Sequence, residues 1–513
     1  MSSLRSLWRV ESITFTTLFL WLMAIGPSSL FRDPGTLWHI RVGEHILDAG
    51  AVIRSDPFSA AFAGQPWVPV GWLSECVVAL LHRIDGLDTI LLATAAMLAF
   101  FYAKMARRLS ARGLQWPIVT LLLALCVAAS SHHFHPRPHL ASMFLLGWMF
   151  ARLCDFEAGR LPMVRLLWFI PVVIAWTNLH GGVVGGLATF ALCGAGWTVA
   201  ALAGGSSPIA RPADFVKLAV LGLACLLAVL VNPYGIELPR VWFTLLDSPV
   251  LTQLMIEHAP LDLSESSGRL VVFLGLLYAA AFLGVPRRAW RVTWLIPFVW
   301  FALACSRIRN GPLFAITATL ALAEMYAEVR WIRWLTQHGS ELLRLRSREE
   351  MVAYQRRDLR AAILPALLVG SALAFEIARV PLPVLGHGWA RLDPTYWPME
   401  LLPDLQAFER AHPGGAPIFN EMLFGGFLIY HTPGLHAFID DRCELQGDAR
   451  LRDYRRAILG ETRFYDDWAR QYGFEIALSV TGSGFDRYLR DSPHWELVRE
   501  TRPASLYRKR SGG

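Results

Sequence analysis

Charge is scarce in this chain, and that scarcity excludes most soluble classes. Of 513 residues only 17% are Asp, Glu, Lys or Arg, while 54% are hydrophobic and 20 are Trp. The mean hydropathy is +0.39. No nucleotide-binding fingerprint, duplicated half or cysteine framework is present. Cys126, Cys154, Cys193, Cys225 and Cys305 lie in or beside apolar runs, which leaves only Cys76 and Cys443 to meet on one face. Arg5 and Arg9 precede the first apolar run, but no small-residue cleavage site follows it, so the run is expected to stay as the first helix. The net charge of +7 needs no nucleic acid to explain it, because its Arg clusters fall in the loops that a bacterial inner-membrane protein keeps in the cytoplasm.

What the chain does have is apolar runs long enough to cross a bilayer. Hydropathy predicts about eleven transmembrane helices, near residues 13–31, 87–106, 117–132, 139–155, 165–180, 182–203, 214–232, 269–285, 292–306, 311–328 and 361–379. Loop charges give an independent register. Lys104, Arg107, Arg108 and Arg112 follow the second run, Arg152, Arg160 and Arg165 the fourth, Arg211 and Lys217 the sixth, and Arg287, Arg288 and Arg291 the eighth. Arg330 to Arg360, with Arg357 among them, follow the tenth. Every second loop is basic, which predicts a cytoplasmic N-terminus and a C-terminal part outside.

That register gathers the unusual residues on the outer face. The longest outer stretch, residues 32–75, is too polar for lipid and rich in Trp, His and acids. Its Asp33-Pro34 and Asp56-Pro57 steps place both acids at bends, since Pro restricts the residue before it. Between them, Leu37, Ile40, Val42, Ile46 and Leu47 suit a short amphipathic helix at the membrane surface. Capping such a helix is the structural alternative for the aspartates. The same face receives His132-His133-Phe134-His135-Pro136-Arg137-Pro138-His139, Trp176 to His180, Asn232-Pro233-Tyr234-Gly235, Glu257-His258 and Arg307-Ile308-Arg309-Asn310.

Several of these motifs have plain structural readings. Pro136 and Pro138 break any regular ligand spacing among the four histidines, which argues against a metal site there. Asn178 and His180 suit helix-terminal hydrogen bonds, and Asn232 to Gly235 is a good turn. Gly181, Gly182, Gly185 and Gly186 read as helix packing rather than a phosphate loop. Arg137, Arg307 and Arg309 are harder to dismiss. At the outer end of spans they run against the positive-inside bias, and arginine there lines a polar cavity or meets an anion. Their guanidinium forks match phosphate oxygens, and Asp33, Asp56 or Glu75 are the alternative counter-ions.

From residue 380 the composition turns soluble, and residues 380–513 read as an α/β domain. The pattern predicts a helix over Met399–Ala411, strands over Pro417–Asn420, Gly426–Tyr430 and His436–Asp440, helices over Leu451–Leu459 and Thr462–Tyr472, and strands near Glu475–Val480 and Trp495–Arg499. Asp440-Asp441-Arg442 falls at a strand end, as a binding rim or as solvated turn residues.

The order of these motifs resembles the GT-C class of membrane glycosyltransferases, specifically bacterial relatives of protein O-mannosyltransferases and of lipid A aminoarabinose transferase. In one bacterial branch the first loop reads like Asp-Pro-Asp-Thr-Trp-His, then Asp-Pro-Phe-Ser and Pro-Trp, with late Gly-Gly-Tyr-Leu and Ile-Asp-Gly-Arg elements. Here the counterparts are Asp33-Pro34-Gly35-Thr36-Leu37-Trp38-His39, Asp56-Pro57-Phe58-Ser59, Pro66-Trp67, Gly425-Gly426-Phe427-Leu428 and Ile439-Asp440-Asp441-Arg442. Gly35 replaces an acid and Asp441 replaces a glycine. Losing the acid at 35 removes one ligand that a divalent metal cation could use.

The resemblance implies a 1–379 GT-C-like transmembrane domain with a catalytic loop at 32–75, and a 380–513 periplasmic domain. It implies transfer of a sugar from a polyprenyl-phosphate carrier to a lipid, glycan or protein acceptor on the outer face of the inner membrane. Asp33 is then the candidate base, with Asp56 or Glu75 as a second acid that orients the acceptor or holds a cation. Arg137, Arg307 and Arg309 would stabilise the leaving phosphate, and Trp38, His39, His135 and His180 would line the substrate. Two other classes share parts of this pattern: a flippase or transporter of a lipid-linked sugar, and a noncatalytic envelope-assembly protein. Transporters commonly show internal repeats and broken midplane helices, whereas the informative residues here cluster at one face.

Overall fold

The computed structural model describes residues 8–356 and 358–510, so Arg5 and Arg357 lie outside the described residues. Each expected span coincides with a helix. In chain order the helices are α1 Val10–Ser29, α2 Pro34–Ala49, α3 Trp72–Asp85, α4 Leu87–Ala111, α5 Trp116–Ser130, α6 His139–Glu157, α7 Phe169–Leu179, α8 Val183–Leu202 and α9 Pro212–Ala228. They continue with α10 Glu237–Asp247, α11 Leu251–Leu254, α12 Ser266–Leu283, α13 Ile296–Ser306, α14 Gly311–Met325, α15 Arg330–Gln337, α16 Arg348–Gln355 and α17 Ile363–Ile377.

Among the described residues, six helices are long and apolar enough to cross a membrane: α1, α4, α5 with its extension to His133, α8, α12, and α17 with its start at Leu359. Ile308–Glu328 and Arg330–Gln337 make a seventh as a pair bent by 55°. The expected spans at 165–180 and 292–306 are shorter apolar helices, Met163–Leu179 and Val292–Ser306. The one at 214–232 stops at Ala228, just before the Asn232 turn. The expected eleven therefore exceed the helices of full membrane-crossing length.

The two ends of the bundle differ in chemistry. At one end, Arg108 and Arg112 of α4 and its C-cap meet Asp155 of α6 at 3.0 and 2.5 Å. Arg108 and Arg160 meet Glu324 of α14 at 2.9 and 2.6 Å. Arg346 Nε donates to the Leu114 carbonyl at 2.9 Å, which ties a later basic loop to the same end. The loops that sequence reading groups as basic thus converge physically. The opposite end carries the 32–75 stretch and the His and Arg motifs.

α2 forms where an amphipathic helix is expected, but it does not lie on a surface. Leu37, Ile40, Val42 and Ile46 are all buried, and α2 packs between α3 and a helix of the C-terminal part. Close approach is possible because Gly43 offers no side chain to the Glu75 carbonyl and Gly426 offers none to that of Pro34.

Beyond α17, α18 Leu402–Ala411 leads into a five-stranded sheet of β1 Ala416–Asn420, β2 Leu435–Ala437, β3 Ile476–Val480, β4 Trp495–Glu500 and β5 Ala504–Lys509, in the order β2-β1-β3-β5-β4. The β1–β2 and β1–β3 pairs are parallel, and β3–β5 and β4–β5 are antiparallel. Parallel pairs need crossovers. These are α19 Met422–His431 between β1 and β2, and α20 Cys443–Ile458 with α21 Arg463–Tyr472 between β2 and β3. α22 Gly484–Asp491 follows β3.

Two sequence expectations are corrected here. Gly426–Tyr430 is not a strand but part of α19, because the Gly425-Gly426 pair lets an apolar helix pack against both Pro34 and the Ile439 backbone. The strand expected over His436–Asp440 is β2, ending at Ala437, and Asp440, Asp441 and Arg442 are buried rather than solvated.

Candidate active site

Asp33 stands at the N-cap of α2. Its Oδ2 accepts from the Thr36 backbone N–H at 3.0 Å, and Pro34 sets the first helical turn. The capping role is therefore real, and it leaves Oδ1 free to meet Arg137 Nη1 at 3.0 Å. Arg137 enters from the Pro136–Pro138 turn before α6 and gives its other terminal nitrogen, Nη2, to Asp441 Oδ2 at 3.1 Å. Glu257, from the short 3-10 turn before α12, approaches Nη1 at 3.6 Å. The second oxygen of Asp441 accepts from the Trp38 indole N–H at 2.7 Å. One guanidinium thus serves three carboxylates drawn from α2, the 256–258 turn and the C-terminal domain.

The electrostatics follow from that ratio. Burial works against the charge on Arg137, yet Asp33, Glu257 and Asp441 together hold it firmly cationic. Burial likewise opposes ionisation of Glu257, but Arg309 and Arg137 hold its carboxyl far below the usual carboxylate range. Burial pushes Asp441 up to about 7; Arg137 opposes the shift, and neighbouring Asp33 and Asp440 add to it. Burial thus favours the neutral form of Asp441 more than Arg137 opposes it.

A second arginine closes the same end. Arg309 lies 3.8 Å from Glu257 and hydrogen-bonds the ring of His258. Arg307 is separate: its Nη2 donates to the Leu246 carbonyl at 2.9 Å. Sequence reading treats the two arginines alike, and the structure brings only Arg309 into the carboxylate cluster.

Behind Trp38, the His39 ring lies 3.7 Å from the Trp38 ring, and its Nδ1 meets Glu75 Oε1 at 3.0 Å. Both residues are buried. Burial lowers the His39 pKa, with Arg137 adding repulsion, and burial raises that of Glu75. Glu75 is thus a partner of His39 through Oε1, while its Oε2 is buried without a hydrogen-bond partner. His180 hydrogen-bonds Ser142 at 2.7 Å through Nδ1, and Ser142 also accepts from the Trp176 indole. His135 meets the Leu30 carbonyl at 3.2 Å.

Asp56 occupies a different centre. Arg442 Nη1 donates to it at 2.6 Å and Nη2 donates to Asp440 at 2.6 Å, with all three side chains fully buried. The Phe58 and Ser59 backbone N–H groups also donate to Asp56, each at 3.1 Å. Arg442 stacks over Trp67 at 4.7 Å, and the Ala60 N–H bonds the Ala437 carbonyl at the edge of β2 at 2.9 Å. This ion pair clamps the first loop to the C-terminal domain, and Asp56 is already engaged by Arg442, Phe58 and Ser59.

A divalent cation does not fit these carboxylates. Asp33, Asp441 and Glu257 wrap a guanidinium rather than converging on one point, and Asp56 is engaged by Arg442. Among the described residues, three ligand atoms converge only at Asp85, Asp88 and His387. There both oxygens of Asp88 already accept backbone N–H groups, from Gly388 at 2.7 Å and Ala390 at 2.6 Å. The histidines near Arg137 likewise bond carbonyls, His139 that of His133 at 2.6 Å and His132 that of Ile308 at 3.4 Å.

Several plain readings hold. The Asn178 side chain donates to the Ile174 and Val231 carbonyls, and that of Asn232 donates to Val229 and Gly235. Gly185 and Gly186 admit the rings of Trp300 and Trp176, so the glycine pair packs helices. All seven cysteines are free. Sequence reasoning missed Asp441 and Glu257 as partners of Arg137. The available signal was three consecutive charges directly after the apolar Phe438-Ile439, an unusual place for solvent-facing groups.

No protein-family model matches the chain, and no curated protein does. The likeness lies in three dimensions: the fold is that of the GT-C membrane glycosyltransferases. One similar structure is the oligosaccharyltransferase of Archaeoglobus fulgidus, tethered with an acceptor peptide, at TM-score 0.53 and 11% identity over 91% of this chain and 69% of that one. Another is ArnT from Cupriavidus metallidurans bound to undecaprenyl phosphate, at TM-score 0.52 and 14% identity over 96% of this chain and 97% of that one.

Proposed function

We propose that the protein transfers a sugar from a polyprenyl-phosphate carrier to an acceptor hydroxyl, at the end of the bundle opposite the basic loops. In this reading that end is the outer face of a bacterial inner membrane, residues 1–379 form the membrane domain, and residues 380–513 form a periplasmic domain. The observation that carries it is Arg137, a half-buried guanidinium held at the mouth of apolar helices by Asp33 and Asp441. A half-buried cation in such a place suits an anionic headgroup, and a structure of similar fold is bound to undecaprenyl phosphate.

The chemistry then divides among the chain's own residues. Asp33 Oδ1 takes the acceptor proton, a role commonly worth about 10²–10⁴-fold. Arg137 and Arg309 stabilise the charge that develops on the leaving phosphate. His39, oriented by Glu75, and Trp38 line the sugar. Mass spectrometry of lipids that co-purify with the protein in mild detergent tests this. A polyprenyl-phosphate glycolipid retained by wild type and lost from Arg137→Ala supports the reading. Equal retention by both proteins would remove Arg137 as the anchor.

A further inference from the structure

The carboxylates around Arg137 pose a problem for any phosphate that is to bind there. Bidentate recognition of a phosphate monoester takes two N–H groups of one guanidinium edge. Both terminal nitrogens are already engaged, Nη1 by Asp33 and Nη2 by Asp441. One broad face is also closed: a Cβ at Gly35 would stand 2.6–2.7 Å from Nη2, Cζ and Nε, so the guanidinium lies directly against that backbone. A phosphate that takes a bidentate edge including Nη2 therefore competes with Asp441, and one that takes the Nη1–Nη2 edge competes with both acids.

The two acids are not equally able to give way. Asp33 is tied to the Thr36 backbone N–H, and its departure would uncap α2. Asp441 makes no such backbone contact through its side chain. Its partners are Arg137 and the Trp38 indole, and an indole N–H can donate to the carbonyl oxygen of a neutral acid as well as to a carboxylate. Asp441 is also the more buried of the two, with side-chain exposure of 1% against 11% for Asp33.

We propose that Asp441 is a placeholder anion: it occupies Arg137 in the resting protein and yields Nη2, as the neutral acid, to the phosphate of the carrier. This rests on the functional reading above. The exchange balances simply. Asp441 takes one proton from solvent, its contact with Nη2 breaks, and a phosphate oxygen accepts the Nη2–H in its place. The second carboxylate of the site therefore comes from the C-terminal domain, and carrier binding is coupled to proton uptake.

The groups facing Asp441 are Arg137 from the turn before α6, Asp33 and Trp38 from α2, Asp440 and Cys443 on its own segment, and Tyr396 from the segment before α18. Glu257 reaches it through Arg137. Burial raises the Asp441 pKa above the usual carboxylate range, toward the pH range where carrier binding can be measured. The phosphate's own second ionisation, near pH 6, acts with the opposite sign, because a dianion binds a guanidinium better as pH rises.

The test is the affinity of the full-length protein in nanodiscs for undecaprenyl phosphate between pH 6.5 and 8.5, for wild type, Asp441→Asn and Asp441→Glu. Wild-type affinity should fall on the order of tenfold or more across that range, as proton-linked binding requires. Asp441→Asn should bind at least as tightly as wild type at pH 8.5 and lose the decline. Asp441→Glu, which still titrates, should keep it. Wild-type binding that is flat with pH, or weaker binding by Asp441→Asn at pH 8.5, contradicts the exchange while leaving the carrier in place. Absence of binding in all three proteins overturns the carrier reading together with the exchange. Inorganic phosphate that competes as well as the lipid would overturn the carrier as the occupant.

Discussion

The Gly35 backbone lies flat against the Arg137 guanidinium, at a distance where a Cβ would stand 2.6 Å from Nη2. Asp441 meets the same Nη2 at 3.1 Å. Gly35 and Asp441 are two of the positions at which this chain departs from the motif pattern it resembles, and both touch one guanidinium. A carboxylate absent from α2 is supplied by the C-terminal domain instead. Gly35→Asp alone should crowd Arg137 and weaken undecaprenyl phosphate binding by about tenfold or more, the loss of one charge-assisted hydrogen bond. Adding Asp441→Gly should recover most of that loss. Independent, additive effects in the double-mutant cycle would show that the two positions do not share Arg137.

Arg309 and Arg307 should separate. Arg309 sits beside Glu257 and His258, whereas Arg307 holds the Leu246 carbonyl. Carrier affinity should drop about tenfold or more in Arg309→Ala, with Lys rescuing it only in part. Arg307→Ala should change it little. Equal losses in both variants would return Arg307 to the site.

The Arg442 clamp predicts a stability effect with no need for substrate. Arg442→Ala would leave Asp56 and Asp440 buried without their partner, and breaking a buried pair costs about 3–5 kcal/mol. Thermal unfolding in detergent should show a large loss for Arg442→Ala. Asp440→Asn, which keeps part of the hydrogen bonding, should lose less.

Sidedness is open to a labelling measurement. Ser266 is exposed at the start of α12 and Ser347 is exposed in the basic loop after α15. Single cysteines at these sites in a background lacking the native thiols should differ, with Ser266→Cys reacting with an impermeant reagent in intact cells and Ser347→Cys reacting only after lysis. Ser59 is unsuitable for such labelling, because it is fully buried and bonded to Asp56. Labelling of Ser347→Cys from outside would invert the topology.

Local chemistry was readable from the sequence wherever a residue's neighbours decide its role. Asp33 before Pro34 reads as a bend and is a helix cap, Asn232 reads as a turn and makes one, and paired glycines read as packing positions and admit Trp rings. Long-range pairing was not readable. Nothing near Asp441 in sequence announces Trp38 or Arg137, more than 300 positions away. The apolar stretch around Gly426 has no period that separates strand from helix, and its packing on α2 decides in favour of helix. Asp56 looked like a candidate acid because its partner, Arg442, belongs to a distant domain.

The most direct measurement of the central claim is the rate at which native membranes, which contain the acceptor, convert the co-purified polyprenyl-phosphate sugar to free polyprenyl phosphate. Asn keeps the oxygen that caps α2, so Asp33→Asn should fold and retain the donor lipid, but it cannot take a proton. The account predicts conversion at least ~100-fold slower than wild type, with unfolding temperature nearly unchanged. Wild-type rates in Asp33→Asn would contradict it.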